Sequence, residues 1–193
     1  MCTSTSPTIK QGKYASCDGT ITYAEFTSDI EAITRKSNEI FDNWQLKRVT
    51  QNDGTEKSYL TKTETKLIEL EDESEPLSCS FTYHVVYHQS YQVPCLGFNV
   101  YRLDGSSILL QDVWTFFRKT NTELTNKPMV EILTEMDHPV LFTPVFMLHP
   151  CRTAELLTSL PHSNNKVVSF LSAMAPAIQL YFDDAYGSDS FIN

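Results

Sequence analysis

No stretch of the chain approaches the ~18 apolar residues that a membrane-crossing helix needs, and none is expected to span a bilayer. The opening residues, MCTSTSPTIKQGKYASCDGT, lack the apolar core of a secretory signal, so no leader peptide is expected. Clusters of Lys and Arg are missing too. Acidic residues outnumber basic ones 24 to 15, for a net charge of −9, which argues against a nucleic-acid footprint. An acidic chain suits a partner with a basic face, although charge of this size also serves solubility alone. The cysteines at 2, 17, 79, 95 and 151 are odd in number, irregularly spaced and without a CxxC pair. That excludes a regular disulfide framework and predicts free thiols in a reducing, cytoplasmic setting. There is no internal repeat. What remains is ordinary globular composition, with 41% hydrophobic and 20% charged residues, long enough for one domain with a real core.

Residues 1–20 are rich in Ser, Thr and Gly and read as a flexible arm, with one catalytic-sized domain over 21–183 and a flexible tail over 184–193. Thr22-Tyr23-Ala24-Glu25 fits a capping box, and Tyr23, Phe26, Ile30, Ile33 and Ile40 recur at near-helical spacing, predicting a helix over 22–40. Strand signals follow. Trp44, Leu46 and Arg48 alternate with their neighbours before the Asn52-Asp53-Gly54 turn, and 57–70 is Thr-rich and extended. EDESEP (71–76) reads as an acidic loop. Phe81, Tyr83, Val85 and Tyr87 line one face of a strand, with Thr82, His84, Val86 and His88 on the other. A loop around Tyr91–Pro94 leads to Leu96, Phe98 and Val100, and Asp104-Gly105 closes that strand. Ser106 is a candidate cap for a short helix through Val113 and Trp114, and the stretch onward to Pro144 reads as loop. Ser163 or Asn164 caps a late helix carrying Val167, Phe170, Leu171 and Met174, which Pro176 ends. The expected fold is α+β: roughly four antiparallel strands with an N-terminal helix and C-terminal helices packed on them.

Chemistry concentrates in DHPVLFTPVFMLHPCRTAELL (137–157). The apolar run Val145–Leu148 stops at His149-Pro150, and a helix-prone stretch follows Cys151. Proline favours the first helical position, which puts Cys151 in a first turn. There the free amides and the macrodipole favour a thiolate by ~0.3–1 kcal/mol. A lone cysteine after an apolar run is also commonly a small buried hydrophobe, so the residues alone leave both readings open. His149 is equally a base or a structural turn residue. A metal site is disfavoured, because His138, His149, Cys151 and His162 lack the paired spacing of zinc ligands; no cofactor is expected.

The longer pattern DHPxLxxPxFxLHPCRT (137–153), together with FNVYRLDGS (98–106), resembles the autophagy E2-like conjugating enzymes, whose signature is a His-Pro-Cys tripeptide. Of its two branches the sequence is more similar to the shorter, that of autophagy-related protein 10. The longer branch carries a long acidic insertion where this chain has only EDESEP, and a different pattern after the cysteine. The resemblance implies an E2-like fold and a thioester on Cys151. It further implies that the ubiquitin-like autophagy protein 12 is received from its activating enzyme, autophagy protein 7, and passed to a lysine of autophagy protein 5. The alternative modifier is autophagy protein 8, the one conjugated to lipid.

Standard ubiquitin-conjugating enzymes carry a His-Pro-Asn motif before the cysteine, and here His138-Pro139 is followed by Val140. Asn99 and Thr153 are therefore candidates for catalytic assistance beside His149. Tyr83 and Tyr87 are candidates for a hydroxyl near the thioester or for contact with a partner; strand packing is the competing reading for Asn99 and both tyrosines. An open sheet edge within 57–103 is a candidate surface for partner strand addition. Two other classes remain on the residues themselves: a cysteine hydrolase, which needs an oriented base, and a non-catalytic scaffold of the same fold.

Overall fold

The capping box forms as the spacing predicts. In this computed structural model, which describes residues 14, 18–69, 75–120, 131–160 and 163–187, α1 spans Tyr23–Ile40. Thr22 Oγ1 accepts from the Glu25 amide at 3.2 Å, while the Thr22 amide donates to Glu25 Oε2 at 2.6 Å. Phe26, Ile30 and Ile33 form the fully buried stripe.

Four antiparallel strands follow: β1 (Gln45–Thr50), β2 (Glu56–Ile68), β3 (Leu77–His88) and β4 (Val93–Arg102). Phe81, Tyr83, Val85 and Tyr87 of β3 join the α1 stripe in the main core. Val86 points the other way and is also buried, in a smaller cluster with Tyr59, Val93, Cys95, Val140, Val145 and Met147. Both sheet faces are thus covered, which explains why β4 reads VPCLGF with no polar alternation.

The sheet has six strands rather than four, in the order β1-β2-β3-β4-β6-β5. The additions are β5 (Leu133–Asp137) and β6 (Pro144–Leu148). β5 was hidden because it is short and buries only Leu133. Pro144 opens β6, a position where a strand tolerates a missing amide donor. β6 meets β4 only through Gly97↔Met147 and Phe98↔Phe146. The backbones crowd there: a Cβ on Gly97 would stand 3.0 Å from the Phe146 carbonyl oxygen.

α2 (Leu110–Thr120) is not capped by Ser106. The Ser106 amide and hydroxyl instead donate to Asp104 Oδ1, at 2.9 and 2.7 Å, in the turn after β4. α3 (Thr153–Thr158) and α4 (Lys166–Met174) close the domain. Asn165, not Ser163 or Asn164, caps α4, accepting from the Val168 amide at 2.8 Å. The expected arm and tail fall mostly outside the described residues, yet the packed structure passes the limits 21 and 183. Tyr14 donates to Asp29 Oδ2 at 2.7 Å, and Tyr186, 1% exposed, donates to Asp42 Oδ2 at 2.8 Å. Among the described residues no helix is long and apolar enough to cross a membrane.

Candidate active site

β6 is buried from Val145 to Leu148 and carries the chain out of the sheet at His149, whose amide donates to the Ile132 carbonyl at 2.9 Å. Pro150, Cys151 and Arg152 then make a single 3-10 turn that leads straight into α3. Pro150 takes the first position, where its missing amide costs nothing. His149 caps the turn, with Nδ1 accepting from the Cys151 amide at 3.2 Å. That bond requires a lone pair on Nδ1, so neutral His149 carries its proton on Nε2.

Of the described cysteines, Cys79 and Cys95 are buried and Cys151 is exposed. Burial pushes the Cys95 thiol up to about 12 and raises that of Cys79, so neither is an available nucleophile at neutral pH. Cys2 and Cys17 lie outside the described residues.

The structure brings only some of the sequence candidates together. His149 bonds the Cys151 backbone. Thr153 heads α3, but its residue is 5% exposed and its amide donates to the Pro150 carbonyl. Asn99 stands elsewhere. Its Nδ2 donates to the Pro144 carbonyl at 3.0 Å, at the start of β6, whereas Cys151 follows the end of that strand. At ~3.3 Å per residue the length of β6 separates them by over ~10 Å. Asn99 instead lines a cleft of about 500 Å³ with Tyr101, Leu109, Glu135 and Thr143. Tyr83 and Tyr87 are buried; the Tyr83 hydroxyl accepts from Lys66 Nζ at 2.8 Å and that of Tyr87 donates to the Ile21 carbonyl at 2.9 Å.

His138 organises the loop joining β5 to β6. Its Nδ1 accepts from the Val140 and Leu141 amides, each at 3.1 Å. Its ring meets His84 edge-on at 5.0 Å and Tyr59 at 4.9 Å. Burial, with the neighbouring His84 adding to it, brings His138 down to about 4; burial likewise brings His84 to about 4. Both rings are neutral at physiological pH and sit within the sheet's second cluster. Among the described residues no three His, Cys, Asp or Glu side chains gather as metal ligands; His162 lies outside them.

A residue the sequence did not single out is His88. The register pairs His88 with Val93, at the sheet end toward which β6 delivers Cys151. Burial lowers its pKa, a backbone hydrogen bond opposes that in part, and the neighbouring His149 adds to the lowering. Its Nδ1 accepts from the Tyr91 amide at 3.4 Å, and the two rings meet at 4.9 Å. The β3–β4 turn thus places His88 and Tyr91 on the side of His149. The hairpin register, rather than any local motif, carries that information.

Residues 25–185, including the whole strand-to-turn-to-helix unit around Cys151, match the family described as autophagocytosis associated protein, active-site domain. The chain belongs to that family. Within it, the chain is 33% identical over 113 residues to the ubiquitin-like-conjugating enzyme ATG10 of Homo sapiens, covering 55% of this chain and 51% of that protein. The ATG10 of Dictyostelium discoideum is 31% identical over 78 residues, 40% of this chain and 34% of that one. The alignments therefore span about half or less of these relatives' length. A crystal structure of an autophagic E2, Atg10, superposes with a TM-score of 0.48 and 14% identity, over 81% of this chain and 96% of that one.

Proposed function

We propose that this chain is an autophagy E2-like conjugating enzyme that carries a ubiquitin-like modifier as a thioester on Cys151. The observation that carries the reading is an exposed cysteine in the His149-Pro150-Cys151 turn of a chain that matches the family's active-site domain. In the first step the Cys151 thiolate attacks the thioester carbonyl that joins the modifier's C-terminal glycine to the activating enzyme. A new C–S bond forms, the old one breaks, and the activating enzyme leaves as a thiolate. In the second, a neutral lysine amine attacks the Cys151 thioester; a C–N bond forms, Cys151 leaves as thiolate, and the amine proton passes to solvent or a base.

Such aminolysis depends mainly on positioning and on donors to the developing oxyanion. His149 and His88 each accept a backbone amide at Nδ1, so as neutral rings each offers an Nε2 proton. Donors of that kind suit the role left open by the missing His-Pro-Asn asparagine. By family likeness the modifier is autophagy protein 12, the activating enzyme autophagy protein 7 and the acceptor a lysine of autophagy protein 5, in the cytoplasm.

The test is a charging assay with activating enzyme and ATP, comparing autophagy proteins 12 and 8, on wild type, Cys151→Ala and Cys151→Ser. Wild type should give a reductant-sensitive adduct with autophagy protein 12, Cys151→Ala none, and Cys151→Ser a reductant-resistant ester. Charging by Cys151→Ala, or none by wild type, overturns the assignment; preference for autophagy protein 8 overturns the choice of modifier.

A further inference from the structure

Asp18-Gly19-Thr20 crosses directly over the helix that follows Cys151. Gly19 has φ +83°, and a Cβ placed on it would stand 2.7 Å from both the Ala154 carbonyl carbon and Thr158 Oγ1, and closer still to the Ala154 carbonyl oxygen. No side chain fits there unless the strap or α3 moves. The strap itself is pinned. Asp18 Oδ1 accepts from the Thr20 amide at 3.0 Å and the Thr20 hydroxyl at 2.6 Å, Lys166 Nζ donates to the Thr20 carbonyl at 3.1 Å, and the Ile21 amide donates to the Gln92 carbonyl at 2.8 Å. On the far side, Ala154 packs against the second apolar cluster and Leu157 sits in the main core. The first turn of α3 is therefore held between the strap and the sheet, and Thr153, its first residue, closes the Cys151 turn by donating to Pro150.

We propose that Gly19 is a positioning residue for Cys151: the strap, lacking a side chain at its point of contact, sets the angle at which α3 presents the exposed thiol. The proposal rests on the carrier role of Cys151. Relieving the overlap in Gly19→Ala displaces α3 and the thiol by on the order of 1 Å, a misplacement that typically costs up to ~100-fold in rate.

Two other glycines supply the control. Gly54 (φ +81°) and Gly105 (φ +88°) share the left-handed backbone but have nothing within 4 Å of a built Cβ. Alanine at 19, 54 and 105 thus imposes similar backbone strain, and only at 19 does it push on α3. The experiment measures single-turnover charging from the loaded activating enzyme. In parallel, site-resolved iodoacetamide alkylation of Cys151 is followed against pH, which needs no partner. Gly19→Ala should lower the charging rate constant about 10- to 100-fold with KM unchanged and alter the alkylation profile, whereas Gly54→Ala and Gly105→Ala match wild type in both. Equal behaviour of all three variants overturns the proposal. Should Gly19→Ala fail to fold, Asp18→Ala, which frees the strap without an overlap, must still lower the rate constant, and wild-type behaviour there overturns it. An altered alkylation profile in a chain whose wild type never charges would sink the carrier role while leaving the positioning contact standing.

Discussion

At the scale of single residues, the two histidines beneath the sheet carry the sharpest consequence. His84 and His138 titrate near 4 in the folded chain against an ordinary value of 6.5, because burial disfavours their charged forms. The unfolded chain therefore binds more protons than the folded one between about pH 6.5 and 4. Their neutral burial leaves stability intact above pH 6.5 and erodes it as pH falls toward 4. Urea unfolding of wild type across that window should show stability declining with pH, and His84→Gln should reduce the proton uptake linked to unfolding by about one. An unchanged slope in the variant shows that His84 is not the titrating group. Cys151 was legible at this scale because a dense local pattern surrounds it. His88 and Gly19 were not, since one depends on hairpin register and the other on contact with a helix more than a hundred residues away.

Among the elements, helix starts separate cleanly by what their caps touch. Thr22 caps α1 at an exposed end and bonds only within its own first turn, so Thr22→Ala should cost about 1 kcal/mol. Asn165 is 5% exposed, and besides capping α4 it donates to the Asp29 carbonyl of α1 at 3.0 Å. Removing that side chain loses the bond to α1 and leaves the buried Val168 amide without its cap, so Asn165→Ala should cost about 2 kcal/mol or more. Chemical denaturation of both variants checks the order; a larger loss at Thr22 contradicts it. The α1 cap was readable because its partners lie three residues apart. Asn165 was missed in favour of its neighbours because Ser, Asn and Asn in succession offer equally good capping chemistry, and only packing against Asp29 decides among them.

Across the whole molecule, the four-stranded meander followed from period-two patterning, while β5 escaped because it is short with one buried residue and β6 showed only as the apolar run Val145–Leu148. That same pair gives the sheet an uneven construction. β3 and β4 are zipped from Cys79↔Arg102 to His88↔Val93, but β6 holds to β4 through Gly97↔Met147 and Phe98↔Phe146 alone. Regions with short ladders open at lower free energy than the core. Native-state hydrogen–deuterium exchange should find the β5 and β6 amides at least ~10-fold less protected than those in the middle of β3, and equal protection refutes a two-part sheet. The sheet is then a four-strand plate with a two-strand leaf joined to it by a short seam, and Cys151 is mounted where the leaf ends, braced from behind by the Gly19 strap.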